Sequence, residues 1–361
     1  MISVRIAGKV AADQQENSMR VVATDRHEAH APKAFIMRGN RVASPETPER
    51  AAIFHRAVVA GGHTLLDAKE HGVVPVAAIH AADYLAFLEH AWSEWSALPD
   101  HAPEILPNIH PGRNMAIHPT HIVGKAGHYQ TDTACPIGPG TWTGARASAD
   151  VAVTAADLVT SDGRPAYALC RPPGHHAYAD QAGGFCFLNN SAIAAQRLRD
   201  GGAKRVTVLD VDVHHGNGTQ GIFYRRNDVQ TVSIHGDPHA YYPFYTGYSD
   251  EIGAGPGRGA NLNLPLPRGT GDAGYLETLD TALTAIDAFK PDAVVVALGL
   301  DPSEKDPLAF LSVTTDGFRR IGERLGATPY PTLIVQEGGY ICDALGDNLA
   351  AVLGGFETGR R

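Results

Sequence analysis

The chain has 361 residues, 43% of them hydrophobic, and a formal net charge of −9. That length fits two domains or one large α/β unit, whose core needs no disulfide or metal staple. The acidic balance, with no long Lys/Arg run, argues against a nucleic-acid partner. No stretch approaches 18 uninterrupted apolar residues, which argues against a membrane-spanning helix.

Four scattered cysteines (Cys135, Cys170, Cys186 and Cys342), with no CxxC pair, read as reduced thiols of a cytosolic protein. The first residues, MISVRIAGKVAAD, lack the apolar core of a secretory signal, so a cytoplasmic location is expected.

In chain order, residues 1–18 read as an irregular segment and Met19–Thr24 as a first strand. Pro48 opens a helix to about Gly61, with proline in its first turn. A second helix, Ala81–Trp95, carries Tyr84, Phe87, Leu88, Trp92 and Trp95 at helical spacing, for packing or a subunit contact. Residues 99–140 are broken by seven prolines and rich in histidine. So long an irregular segment in a compact domain is functional or an oligomer contact.

From Gly144 onward the pattern is regular. Helices at 144–160, 189–200, 273–289 and 316–326 alternate with strands at 166–170, 205–210, 293–298 and 332–335. Further strands are expected at 231–235 and 262–266. Such alternation predicts a parallel sheet with helices on both faces, and no composition break divides it.

The chemistry lies at the strand ends, where open α/β sheets bind ligands. Val206–Leu209 is an apolar, β-branched run, as in a strand buried on both faces. It turns abruptly into Asp210-Val-Asp-Val-His-His-Gly216. In extended backbone Asp212 and His214 would leave on the same side and suit a divalent metal, zinc above all. The other strand ends carry Arg171-Pro-Pro-Gly-His-His176, His235, Gly299-Leu-Asp301 and Gln336-Glu-Gly-Gly-Tyr340. Asp212, His214 and Asp301 make three ligands with a fourth position open, as catalytic zinc requires. His175 and His176 supply a general base or acid, and Tyr340 an oxyanion donor. Each residue has a structural alternative: a buried Asp–His bond, a turn displaying two histidines, Asp301 as a helix cap, Tyr340 as a core tyrosine. Asp210 reads as a supporting or structural-cation residue. The set as a whole suits metal-assisted amide hydrolysis.

Five motifs in order carry a resemblance: Arg171-Pro-Pro-Gly-His-His176, Gly184-Phe-Cys-Phe-Leu-Asn-Asn190, Leu209-Asp-Val-Asp-Val-His-His-Gly-Asn-Gly-Thr-Gln220, Leu298-Gly-Leu-Asp301 and Glu337-Gly-Gly-Tyr340. They resemble the histone deacetylase superfamily, in particular bacterial acetylpolyamine amidohydrolases and histone-deacetylase-like amidohydrolases, over residues 19–355. The resemblance implies the arginase/deacetylase α/β fold, a single domain with an eight-stranded parallel sheet between helices. The Pro-rich loop at 99–140 would shape the active-site mouth and form a homodimer or higher homo-oligomer.

It further implies one Zn2+ held by Asp212, His214 and Asp301, with His176 as general base, His175 as its electrostatic partner and Tyr340 as oxyanion donor. Asp210 would back His175 and Asn217 would back His176. Gly184, Phe185 and Tyr242 would line a narrow tunnel. A structural K+ would bind Asp210, Ser233 and Ile234, with carbonyls of Asp212 and His214, and a second K+ would lie near Phe223, Arg226 and Val229.

Two departures bear on the substrate. Acetylpolyamine hydrolases grip their cationic substrate with acidic residues in the long loop, and Val123 and Ala134 stand at those positions here, with Asp132 nearby. Pro302 follows Asp301 where relatives carry Thr. The expected substrate is therefore a small neutral N-acyl or N-alkyl amide, xenobiotic amides included. Acetylpolyamine and protein-lysine deacetylation are the enzyme alternatives. A silent acyl-ligand sensor is the non-enzyme one, although no catalytic group is missing. A two-metal ureohydrolase would want a further carboxylate where Gly216 stands.

Overall fold

The computed structural model describes residues 18–361; the segment expected at 1–18 otherwise lies outside the described residues. Eight strands form one sheet: β1 (Arg20–Ala23), β4 (Thr64–Asp67), β5 (Ala166–Ala168), β6 (Val206–Asp210), β7 (Val229–Gly236), β8 (Asn261–Leu266), β9 (Ala293–Leu298) and β10 (Thr332–Gln336). Their order is β4-β1-β5-β10-β9-β6-β7-β8, and every pairing is parallel. β2 (Ala34–Met37) and β3 (Asn40–Ala43) form a separate antiparallel hairpin.

The central strands β5, β10, β9 and β6 are buried along their whole length and are mostly apolar, whereas the edge strands β4 and β8 are partly exposed. In β9, Ala293, Val295 and Ala297 join one core while Val294, Val296 and Leu298 join the other. That is the period-2 division of a two-faced strand. The first core is closed by helices Thr141–Asp162 and Asn190–Asp200, whose alanines allow close approach. The second is closed by helices Pro48–Ala60, Asp272–Phe289, Thr315–Gly326 and Leu345–Gly359. In the helix Ala82–Ser96, Tyr84, Phe87 and Leu88 are buried and the two tryptophans half-buried, so most of its aromatics serve packing.

Several elements were not expected. The hairpin β2–β3 turns at Arg38-Gly39, where φ is +51° and +79°; two positive values suit a tight hairpin turn, and glycine takes one without strain. β4 is a four-residue edge strand. A helix, Ile122–Tyr129, lies inside the Pro-rich stretch, and further helices form at Asn217–Phe223 and Leu345–Gly359.

The interior holds several neutral histidines. Burial pushes His27, His30, His80 and His235 down to about 4, with Arg171 reinforcing the effect on His27. His80 accepts a hydrogen bond at Nε2 from the Asn189 amide (2.9 Å), a role open only to a neutral ring. Between pH 6.5 and 4 the unfolded chain binds these protons and the folded chain does not, so acid favours unfolding. Burial lifts the carboxyls of Glu337 and Asp306 to about 7, which works in the opposite sense and offsets part of the effect. The unfolding free energy is expected to fall as pH drops from 6.5 toward 4.5. Urea titrations across that window test this, and a flat or rising profile would contradict it.

Candidate active site

The strands whose ends carry polar residues, β5, β10, β9, β6 and β7, are five consecutive neighbours in the sheet. Their carboxyl ends therefore deliver Arg171–His176, Glu337–Tyr340, Asp301, Asp210–His214 and His235 to one edge.

The approach of Asp212 to His214 has a different origin from the one expected. β6 stops at Asp210, and both residues lie in the following bends. The Asp212 Oδ1 accepts from the His214 amide at 2.8 Å and lies 3.1 Å from its Nδ1. A local side chain-to-backbone turn, of the kind Asp favours, sets the pair. Asp301 caps no helix: its Oδ1 accepts from the Val213 amide at 3.0 Å, tying β9 to the same loop.

Ligand atoms of Asp212, His214 and Asp301 lie within 4.8 Å of one another, and all three residues are buried. The site fits a metal on its own geometry. The Oδ2 of Asp301 is buried and, among the described residues, has no hydrogen-bond partner, with His214 Nδ1 3.2 Å away. Gly338 closes the cradle, since a Cβ there would sit 2.2 Å from Asp301 Oδ2 and 2.4 Å from Asp212 Oδ2. Two buried carboxylates sharing one histidine are costly without a cation. A second grouping, His175, Cys186 and Glu337, is of another kind. Glu337 is already bonded to the amides of Gly174 and His175 and to the Ser191 hydroxyl, and burial pushes the Cys186 thiol up.

The histidine pair is split by its surroundings. His175 Nδ1 lies 2.8 Å from Asp210 Oδ2. Burial would lower its pKa, but Asp210 and then Asp212 outweigh that and hold it well above the usual histidine range. His176 Nδ1 lies 2.6 Å from the Asn217 carbonyl oxygen, and the Asn217 amide group donates to the Tyr178 hydroxyl at 3.2 Å. Burial, reinforced by the charge on His175, holds His176 well below its usual range. One ring is thus held charged and the other neutral, 4.0 Å apart.

Tyr340 is buried, and burial keeps its phenol protonated. Its amide donates to Asp306 Oδ2 at 2.7 Å, and the Arg50 guanidinium lies 4.8 Å from the ring centre. Arg50 also donates to the carbonyls of Glu337 (2.7 Å) and Gly339 (2.6 Å), while Glu46 holds both Arg50 and Arg171. Phe185 packs edge-on against Tyr340 and Phe35, with Ala134, Val42 and Leu308 beside them. Tyr242 stands at right angles to His176, with centroids 5.0 Å apart, and Tyr241 stacks on His214 at 4.8 Å. Gly184 lies against His176, where a Cβ would be 2.3 Å from Cδ2.

Asp210 and Ser233 sit in register on β6 and β7, and Ile234 follows, buried. Asp210 serves His175 and the Asp212 amide, and the Ser233 hydroxyl bonds His235. Arg226 lies over Phe223 and is paired with Asp228, next to Val229. Ala134 belongs to the apolar wall, whereas Val123 lines a separate cavity of about 260 Å³ with Arg41, Trp95 and Glu104.

Sequence reasoning missed Arg50, Glu46, Asp306, Phe35 and Tyr241. Asp306 precedes a proline in a loop after a ligand Asp, and Tyr241 precedes a residue already singled out; those were the available signals. Arg50 read only as a helix residue.

The histone deacetylase domain model matches residues 44–356. The chain is 47% identical over 328 residues to the acetylpolyamine amidohydrolase of Burkholderia pseudomallei (strain 1710b), covering 91% of this chain and 95% of that protein. It is 42% identical over 338 residues to the acetylpolyamine amidohydrolase of Mycoplana ramosa, covering 93% and 99%. The crystal structure of an acetylpolyamine aminohydrolase from Burkholderia pseudomallei superimposes with a TM-score of 0.91 at 46% identity, over 94% of this chain and 98% of that one. The chain therefore belongs to the histone deacetylase family, whose members cleave amide bonds.

Proposed function

We propose that the chain is a zinc-dependent hydrolase of small N-acyl or N-alkyl amides, acting as one catalytic unit and preferring neutral amides. The observation that carries this reading is the convergence of three buried metal-type ligands, a charged and a neutral histidine, and a protonated tyrosine at one sheet edge.

Asp212, His214 and Asp301 would hold the zinc ion, which supplies Lewis acidity toward a carbonyl and a water molecule. His176 donates Nδ1–H to Asn217, so Nε2 is its free base and takes the proton of the attacking water. His175, fixed by Asp210, stays charged and favours the negative charge that develops. The Tyr340 hydroxyl donates to the carbonyl oxygen as it becomes an oxyanion. The proton on His176 then passes to the leaving nitrogen. Gly184, Phe185 and Tyr242 wall the tunnel and limit water.

The apolar wall at Ala134 supports a neutral substrate. The second reading is acetylpolyamine deacetylation, supported by relatives of that name at 40–47% identity. Comparing kcat/KM for acetylputrescine and a neutral isostere separates the two. The neutral amide is expected to equal or exceed the cation, and Ala134→Glu should shift the ratio toward the cation about ten-fold. A ten-fold advantage for acetylputrescine in the wild type would establish the polyamine reading instead.

Potassium at Asp210, Ser233 and Ile234, and again near Phe223, Arg226 and Val229, belongs to the same proposal, as does a cytoplasmic location. Among the described residues no helix is long and apolar enough to cross a membrane. The proposal includes a homodimer or higher homo-oligomer built on the loop 99–140. Its support is the exposure of Ile109 (61%), Met115 (50%) and Ile117 (79%). Sedimentation at micromolar concentration should show at least twice the 38.3 kDa chain mass, and a monodisperse monomer would refute it.

A further inference from the structure

Asp132 is the carboxylate in the long loop that stands nearest the positions expected to grip a cation, and its oxygens are otherwise engaged. Oδ1 accepts from the Ala134 amide at 2.7 Å. Oδ2 accepts from the Gly184 amide at 3.1 Å and from the Tyr242 hydroxyl at 2.5 Å. Three donors thus converge on one side chain, and each belongs to a segment bordering the candidate site. Ala134 packs in the Phe35–Phe185–Tyr340 wall. Gly184 precedes Phe185, and both hold positive φ (+53° and +70°). For phenylalanine that backbone is uncommon and persists only where its surroundings hold it. Tyr242 stands edge-on to His176.

We propose that Asp132 is a positioning residue for substrate selection: it clamps Tyr242 and the Gly184–Phe185 backbone to the long loop, fixes a narrow bore, and does not itself bind a cationic substrate. The proposal rests on the amidohydrolase reading above and adds how this chain sets the width of its tunnel. A phenol on Tyr242 is what makes the clamp. A phenylalanine would fill the same wall and leave the Asp132 oxygen with one donor fewer. Charge-assisted O–H···O bonds of this length are among the stronger hydrogen bonds, so the ring is held in one orientation. A carboxylate that already accepts three bonds has little left to offer an ammonium group.

The test uses Tyr242→Phe, Asp132→Asn and the double variant of the full chain, loaded with zinc. Two neutral probes, N-acetyl-n-pentylamine and N-acetylcyclohexylamine, report the bore, and acetylputrescine reports charge. Each single variant is expected to cut the linear-over-cyclic preference in kcat/KM about ten-fold, through a higher KM for the linear amide and with kcat within about three-fold. The double variant should match Asp132→Asn, because an amide nitrogen in place of Oδ2 cannot accept from the phenol. Asp132→Asn should leave the ratio of acetylputrescine to the linear neutral amide unchanged. A selective loss of acetylputrescine would make Asp132 a cation grip and overturn the clamp, as would additive single effects or an unchanged linear-over-cyclic ratio. Thermal unfolding of the same four proteins tests the clamp without activity: the double variant should be less destabilised than the two singles summed, and strict additivity would overturn it. Absence of amide turnover by the wild type would refute the amidohydrolase reading, while the unfolding cycle would still decide the clamp.

Discussion

Asp301→Ala is expected to remove zinc and abolish amide hydrolysis while the sheet still folds. Asp301 would supply one of the three proposed ligands, and among the described residues its buried Oδ2 has only His214 Nδ1, 3.2 Å away, beside it. Loss of an outer partner of a ligand already costs 10–100-fold in metal affinity, so loss of a ligand should cost more than about 100-fold. The substitution also strands the Val213 amide, at roughly 1–3 kcal/mol. Against this, burial and then the Asp212 charge push the Asp301 carboxyl up, so its removal relieves a repulsion in the metal-free protein. The two effects oppose, and metal-free wild type and variant should melt within a few degrees of each other. Adding zinc should raise the melting temperature of the wild type, since a ligand bound only by the native state stabilises it, and should leave the variant unmoved. Metal analysis should find one zinc per wild-type chain. Two equivalents, or a zinc-dependent shift retained in the variant, would sink this ligand set.

How far the sequence led depends on how local each feature is. The central strands were readable because each is an uninterrupted apolar run ending abruptly in polar residues; β6 and β9 are the clearest. The three candidate ligands Asp212, His214 and Asp301 stood out for a related reason, since each follows shortly after a strand end. That five strands ending in polar residues are adjacent is a property of strand order, which no local pattern contains. β4 escaped because four residues at an edge, alternating between half-buried and exposed, carry too little pattern. The hairpin β2–β3 escaped because Arg38-Gly39 is an uncommon pair for its turn. Asp212 stands beside His214 through a local turn after β6, not through the alternation of an extended strand.

Residues that act from a distance in sequence were hardest to see. Arg50 reaches the carbonyls of Glu337 and Gly339 across 289 positions or nearly so, and nothing in its helix marks it. Glu46 is fully buried between two arginines and a histidine, in a stretch that read as a helix approach. Val123 and Ala134 were paired by sequence spacing as the two departures from an acidic mouth. Only Ala134 lies on the apolar wall in this fold.

Tyr340→Phe is expected to retain zinc and to lower kcat about 100-fold, with KM changed far less. In the proposed mechanism the hydroxyl serves a charge that exists only as the amide carbonyl is attacked. Removing it therefore costs the transition state more than the bound substrate. One oxyanion donor is worth about 10²–10³ in kcat, roughly 2.7–4 kcal/mol. Burial makes the phenol a donor across the working pH range. The Asp306 bond to its amide, the Arg50 guanidinium over its ring and the edge of Phe185 hold the ring independently of the hydroxyl. The phenylalanine ring should consequently occupy the same place, and melting temperature and zinc content should match the wild type. Steady-state kinetics on a small amide decide the matter. A KM increase with unchanged kcat would assign Tyr340 to substrate binding, and turnover near wild type would mean that another group polarises the carbonyl.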